Sequence, residues 1–83
     1  MAQQICENDI DVEYKKAVRE FYQVYNALKK KRALRMSGHS DLKGSSIEIW
    51  EYKNDGKIKT ICRVKAENST ECHRMAAEHL KRE

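Results

Sequence analysis

The chain has no proline, and among its 83 residues only three glycines, one tryptophan and one phenylalanine. Gly38, Gly44 and Gly56 are scattered, and each is accounted for by a loop or a turn. There is no phosphate-cradling GxxxxGKS/T or GxGxxG loop, no HExxH pair and no EF-hand loop. No apolar run approaches the ~18 residues of a membrane-spanning helix. Residues 1–9 lack the basic and apolar regions of a secretory leader. Cysteines number three, Cys6, Cys62 and Cys72. An odd count without a leader argues against a secreted disulfide framework. These absences predict a cytoplasmic protein with no membrane span.

Large apolar side chains are also scarce. A chain of this length buries only roughly 60–65% of its unfolded surface, so one small domain with little core to spare is expected. Such domains often gain stability from a second subunit, and self-association is expected here.

Charge is what the chain does have. Charged residues make up 36% of it, and the formal net charge is +4. The distribution is uneven. Residues 1–28 carry −2, residues 29–65 carry +7 and residues 66–83 carry −1. The basic character belongs to the middle of the chain, which points to a polyanionic partner.

Apolar residues at Ile10, Tyr14, Ala17, Val18, Phe21, Val24, Tyr25 and Leu28 are spaced 4, 3, 1, 3, 3, 1 and 3 apart. This stripe predicts a helix over about 9–32, started at Asn8–Asp11 and followed by the cations Lys29–Arg32. Residues 1–8 are expected to be disordered. Residues 37–46 read as a loop, and 33–36 as an optional short strand.

Ile47–Lys53 and Lys57–Lys65 read as a hairpin around Asn54-Asp55-Gly56. A three-residue loop with Gly56 in the left-handed position pairs Lys53 with Lys57, Trp50 with Thr60 and Tyr52 with Ile58. It places Trp50, Tyr52, Ile58, Thr60, Cys62 and Val64 on one face. Lys53, Lys57, Lys59, Arg63 and Lys65 then share the other with Ile47, Ile49 and Ile61. A two-residue loop would instead pair Trp50 with Ile61 and Ile49 with Cys62. The first register is favoured because it gathers both aromatics with the alternating set of the second strand.

Asn68 and Glu71 form a capping-box pattern, and Cys72, Met75, Ala76, His79 and Leu80 form a helical stripe over about 69–82. The fold class is therefore α+β. It comprises a long N-terminal helix, an antiparallel hairpin or three-stranded meander, and a C-terminal helix, with the helices on one face of the sheet. The order of elements, with Ala76-Ala77 and Leu80 in the last helix, resembles that of double-stranded-RNA-binding domains. That family carries a Lys-Lys pair at the start of its second helix, where this chain has Thr70 and Glu71. Its proline-containing loop is missing as well, and no family is assigned.

Cys62, Cys72, His73 and His79 could in principle ligate a metal, but the CxxC or HxxxH pair of a zinc site is absent, and neither metal nor cofactor is expected. A Cys–His pair such as Cys72–His79 lacks an evident oxyanion hole, and so small a domain has little room for a substrate cleft. The chain is expected not to be an enzyme.

The leading functional expectation is a small binding or regulatory protein that contacts DNA or RNA through its basic middle. Lys29, Lys30, Lys31, Arg32 and Arg35 form one cluster, and Lys57, Lys59, Arg63 and Lys65 another on the hairpin. Phosphate contacts of this kind gain from counterion release. Trp50 and Tyr52 could stack on unpaired bases if exposed, although the shortage of large apolar residues favours a core role for both. The alternative is a dimeric protein–protein module, or an inhibitor of a larger complex of the bacterial or phage accessory type. It would use Tyr14, Phe21, Tyr25 and Leu28 where the first helix overhangs the sheet.

Overall fold

Strand pairing between residues close in sequence builds the framework. In the computed structural model, which describes residues 2–83 and the side chains from Val12 onward, the order is α1 (Ala2–Lys29), β1 (Leu34–Asp41), β2 (Gly44–Tyr52), β3 (Ile58–Ala66) and α2 (Ser69–Lys81). The strands form an antiparallel meander in the order β1-β2-β3. Both helices pack on the same face of it, and no described helix is long and apolar enough to cross a membrane.

The expected loop over 37–46 is corrected: most of it is strand. β1 extends the optional 33–36 segment through Ser37-Gly38-His39-Ser40 to Asp41, in unbroken register from Leu34↔Glu51 to Asp41↔Gly44. These small polar residues have weak intrinsic strand preference. Ladder hydrogen bonds to β2 override it, because β-propensity depends strongly on context. Only Leu42 and Lys43 remain as a turn, which Asp41 Oδ1 closes by accepting from the Lys43 amide at 2.8 Å. Gly44 follows with φ +141°. A Cβ there would lie 2.5 Å from the Ala66 carbonyl oxygen, so no larger residue fits without moving β3.

The helix boundaries shift too. α1 begins at Ala2, not at the Asn8–Asp11 signals, so residues 2–8 of the expected disordered 1–8 are helix, Met1 lying outside the described residues; residues 2–8 contain no glycine or proline to halt propagation. It ends at Lys29, three residues before the expected Arg32. Arg32 is drawn instead onto the sheet, where its Nε and Nη2 donate to the two oxygens of Glu51 at 2.9 and 3.0 Å. α2 starts as read, with Asn68 Oδ1 accepting from the Glu71 amide at 2.9 Å. The Glu71 carboxylate turns to Arg74.

Phe21, Tyr25, Leu34, Ile47, Ile49, Ile61, Cys62, Val64, Cys72, Ala76, Ala77 and Leu80 form the core. Fully burying a side chain such as Phe21 or Ile49 contributes about 1.5–3 kcal/mol. Small residues on α2 let it approach the sheet closely. Its buried stripe is turned slightly from expectation, with Ala77 inside and Met75 43% exposed. Glu13 pairs with Arg74 and Glu20 with Lys81, while Tyr14 meets His73 edge-on at 6.0 Å. These contacts advance in the same direction along both helices, which therefore run parallel.

The hairpin register combines the two alternatives. Near the turn the three-residue loop holds: the Lys53 amide donates to the Lys57 carbonyl at 2.8 Å, and Gly56 has φ +84°. Trp50 pairs with Thr60 and Tyr52 with Ile58. Beyond Trp50 the pairing shifts by one, and Ile49 faces Cys62, Glu48 faces Arg63 and Ile47 faces Val64. Ile61 is the extra residue of a β-bulge. Adjacent Ile61 and Cys62 both point into the core, at 6% and 1% exposure. The bulge is held from α2, where His79 Nε2 donates to the Ile61 carbonyl at 2.8 Å.

Candidate nucleic-acid interface

A one-residue shift in pairing moves every later side chain to the opposite face. The bulge therefore reverses the expected face assignment beyond Ile61. Cys62 and Val64 join Ile47 and Ile49 under the helices. Trp50, Tyr52, Ile58 and Thr60 share the other face with Arg63 and Lys65. The core role expected of Trp50 and Tyr52 is thus corrected: both lie on the helix-free side. Trp50 is half-buried, Tyr52 44% exposed and Ile58 58% exposed.

The open face has an ordered composition. One row across the strands is Arg35, Trp50 and Thr60, and the next is Ser37, Glu48 and Arg63. A third is His39, Ser46 and Lys65. Arg63 Nε donates to Glu48 Oε2 at 2.7 Å, and His39 Nε2 lies 3.0 Å from Asp41 Oδ2. The Asp41 carboxyl is held below its ordinary value, first by the Lys43 amide and then by His39. The second and third of these rows, not the Trp50 row, line a shallow groove of about 330 Å³. Ser37, His39, Ser46, Glu48, Arg63 and Lys65 line it together with Ile47 and Val64.

Parts of the two cationic clusters lie at the same end of the sheet, whereas Arg63 and Lys65 lie farther along β3. Leu34 pairs with Glu51, and the Tyr52 amide donates to the Ala33 carbonyl at 2.9 Å. The α1–β1 connection and the β2–β3 turn therefore occupy the same end of the sheet. Lys29, Lys30 and Lys31 arrive there from one segment, Lys57 and Lys59 from the other, and all five are exposed. Lys29 Nζ lies 5.8 Å from the centre of the Tyr25 ring. Acids at this end are largely engaged: Asp55 Oδ1 accepts from the Lys57 amide, and Glu51 binds Arg32 and Lys53. No family model, curated protein or solved structure matches the chain at a significant level.

One residue of the expected cationic set has a different role. Arg32 is committed to Glu51 and Glu83, tying the end of α1 to β2 and to the chain terminus. The Arg32 guanidinium, with help from Lys53, holds the Glu51 carboxyl down to about 2. Arg32 is a structural clamp, because its planar fork matches the carboxylate in two hydrogen bonds.

The expected partner surface on α1 is corrected as well. Phe21 and Tyr25 are in the core, at 0% and 5% exposure, and Leu28 packs against it. Of the four residues only Tyr14 is exposed, at 40%. The stripe is consumed by the chain's own sheet and α2, the partners nearest to hand.

The groups considered for metal or nucleophilic chemistry are also engaged. His79 binds the bulge carbonyl, and His73 Nδ1 donates to the Ser69 carbonyl at 2.7 Å. Burial pushes the Cys62 thiol up to about 11 and raises Cys72. Thiols so shifted are mostly protonated at neutral pH and are poor nucleophiles. Among the described residues, no group of three His, Cys, Asp or Glu side chains converges to hold a metal. Cys6 lies outside the described side chains.

Proposed function

We propose that this protein is a non-enzymatic nucleic-acid-binding protein that holds phosphate backbones at the lysine-rich end of its sheet. One observation carries the reading. Lys29–Lys31 and Lys57–Lys59, separate in sequence, lie at the same end of the fold near Arg35, and Arg63 and Lys65 lie farther along β3 on the open face. Clustered cations on one end form the electrostatic footprint of phosphate recognition. The bland role of lysines as guards of an exposed sheet edge explains Lys57 and Lys59, but not Lys29–Lys31 on the helix side.

The test is a titration with mixed-sequence DNA and RNA, single-stranded and duplex, at about 50 and 200 mM salt. Neutralising about four phosphates predicts a loss of affinity of roughly 50- to 150-fold between the two salts. A Lys30/Lys31/Lys57/Lys59→Ala variant should flatten that dependence while keeping the wild-type melting temperature. These four are exposed and outside the core, whereas replacing Arg32 would also release Glu51. Absence of binding to every probe at 50 mM salt refutes the proposal.

A further inference from the structure

We infer that the open sheet face takes unpaired nucleic acid, with one base stacked on Trp50 and a second on Tyr52. This rests on the nucleic-acid reading above and specifies its substrate class.

The first ground is the position of the rings. In a chain with one tryptophan and a small core, the bulge at Ile61 leaves Trp50 and Tyr52 outside the core, on the face without helices. Ile58 lies directly opposite Tyr52 and extends the apolar surface. Cations alone suffice for a duplex, whose bases are already paired and stacked. Aromatic faces set among cations suit bases whose π-faces are free.

The second ground is charge. Arg35 is directly opposite Trp50, and Arg63 and Lys65 lie on the same face. Glu48 is the opposing charge within these rows, and Arg63 covers it. A second copy packed face to face would bring these cations against their own kind. A polyanion meets them favourably.

The third ground is the groove lined by the two rows that follow the Trp50 row. Ser37, His39 and Ser46 line it, together with the Glu48–Arg63 pair. It offers donors and acceptors to the edge of a base farther along the same strand, as recognition of single strands requires. The adjoining lysine end, already assigned to phosphate, would carry the backbone of the same strand off the sheet.

The chain's single tryptophan supplies the assay. The intact protein is titrated with a 12-nucleotide oligo(dT), a 12-nucleotide oligo(U) and a 12-base-pair mixed-sequence DNA duplex at about 50 mM salt. Emission from Trp50 and the anisotropy of labelled probes are followed together. Single strands should quench Trp50 and bind more tightly than the duplex. Trp50→Ala should weaken single-strand binding by about 5- to 100-fold, and Tyr52→Ala by a similar or smaller factor. Trp50→Phe keeps a ring and should retain most of the affinity, which separates stacking from misfolding. The inference is overturned if single strands bind without quenching, or if the duplex binds as tightly. It is also overturned if Trp50→Ala folds and binds like wild type. In each of those cases the phosphate-binding reading stands. Binding of no probe would remove both. Light scattering that showed a dimer disrupted by Trp50→Ala would assign the face to a second copy and overturn the inference.

Discussion

Replacing Phe21 by alanine tests the architecture at its most consequential point. From the helical stripe, Phe21 is equally suited to face a partner or the chain's own sheet. The structure buries it completely, with its ring 5.8 Å from Tyr25 in a stacked arrangement. It also meets Tyr22 at 5.1 Å and His73 at 5.4 Å, both edge-on. Truncating a buried phenylalanine costs about 3–5 kcal/mol, combining lost transfer energy and the cavity left behind. A domain of this length has a total stability of about 4–12 kcal/mol. The variant should therefore lose a large share of its stability, lowering the melting temperature by at least about 12 °C. The neighbouring Tyr22 is 38% exposed, and Tyr22→Ala should cost no more than about 1 kcal/mol. Thermal and urea unfolding followed by far-ultraviolet circular dichroism would measure both. Equal melting temperatures for the two variants would refute the assignment of Phe21 to the core. So would loss of a dimer in Phe21→Ala with unchanged unfolding of the monomer.

The Arg32–Glu51 clamp predicts a pH dependence. The folded Glu51 carboxyl titrates near 2 against an ordinary value near 4.5, so its contribution is complete above about 4.5 and is lost as pH falls toward 2. Glu51→Gln should lower stability at neutral pH and flatten the acid limb in urea titrations from pH 6 to 2.5; parallel limbs for the two proteins would contradict the clamp. The bulge predicts that His79→Ala costs about 1–3 kcal/mol, because it leaves the Ile61 carbonyl without its donor. Unfolding within about 0.5 kcal/mol of wild type would show that the carbonyl finds water instead.

The periodicity of Tyr14, Ala17, Phe21 and Tyr25 specified the first helix, and Asn68 with Glu71 specified the start of the last. Local hydrogen bonding and a 3.6-residue repeat act within one element, so they are written in the order of residues. The hairpin turn was legible for the same reason, since Gly56 alone supplies the backbone conformation that the loop requires. The sign and position of the charge, concentrated between Lys29 and Lys65, were also a property of the sequence by itself.

Tertiary structure decided the rest. Ser37–Asp41 is strand because β2 offers a ladder, not because its residues favour one. Arg32 left the expected phosphate-binding set because folding placed the Glu51 carboxylate within reach, nineteen positions along the chain. The adjacent pair Ile61-Cys62 was the available signal for the bulge, since two consecutive inward residues break the alternation of a strand. Which side of that break turned outward depended on where the helices packed and on the His79 bond to the freed carbonyl. That choice put Trp50 and Tyr52 on the open face beside the cations. Sequence fixes spacing along one strand, but the side on which a face becomes a surface is set only when another element covers its opposite.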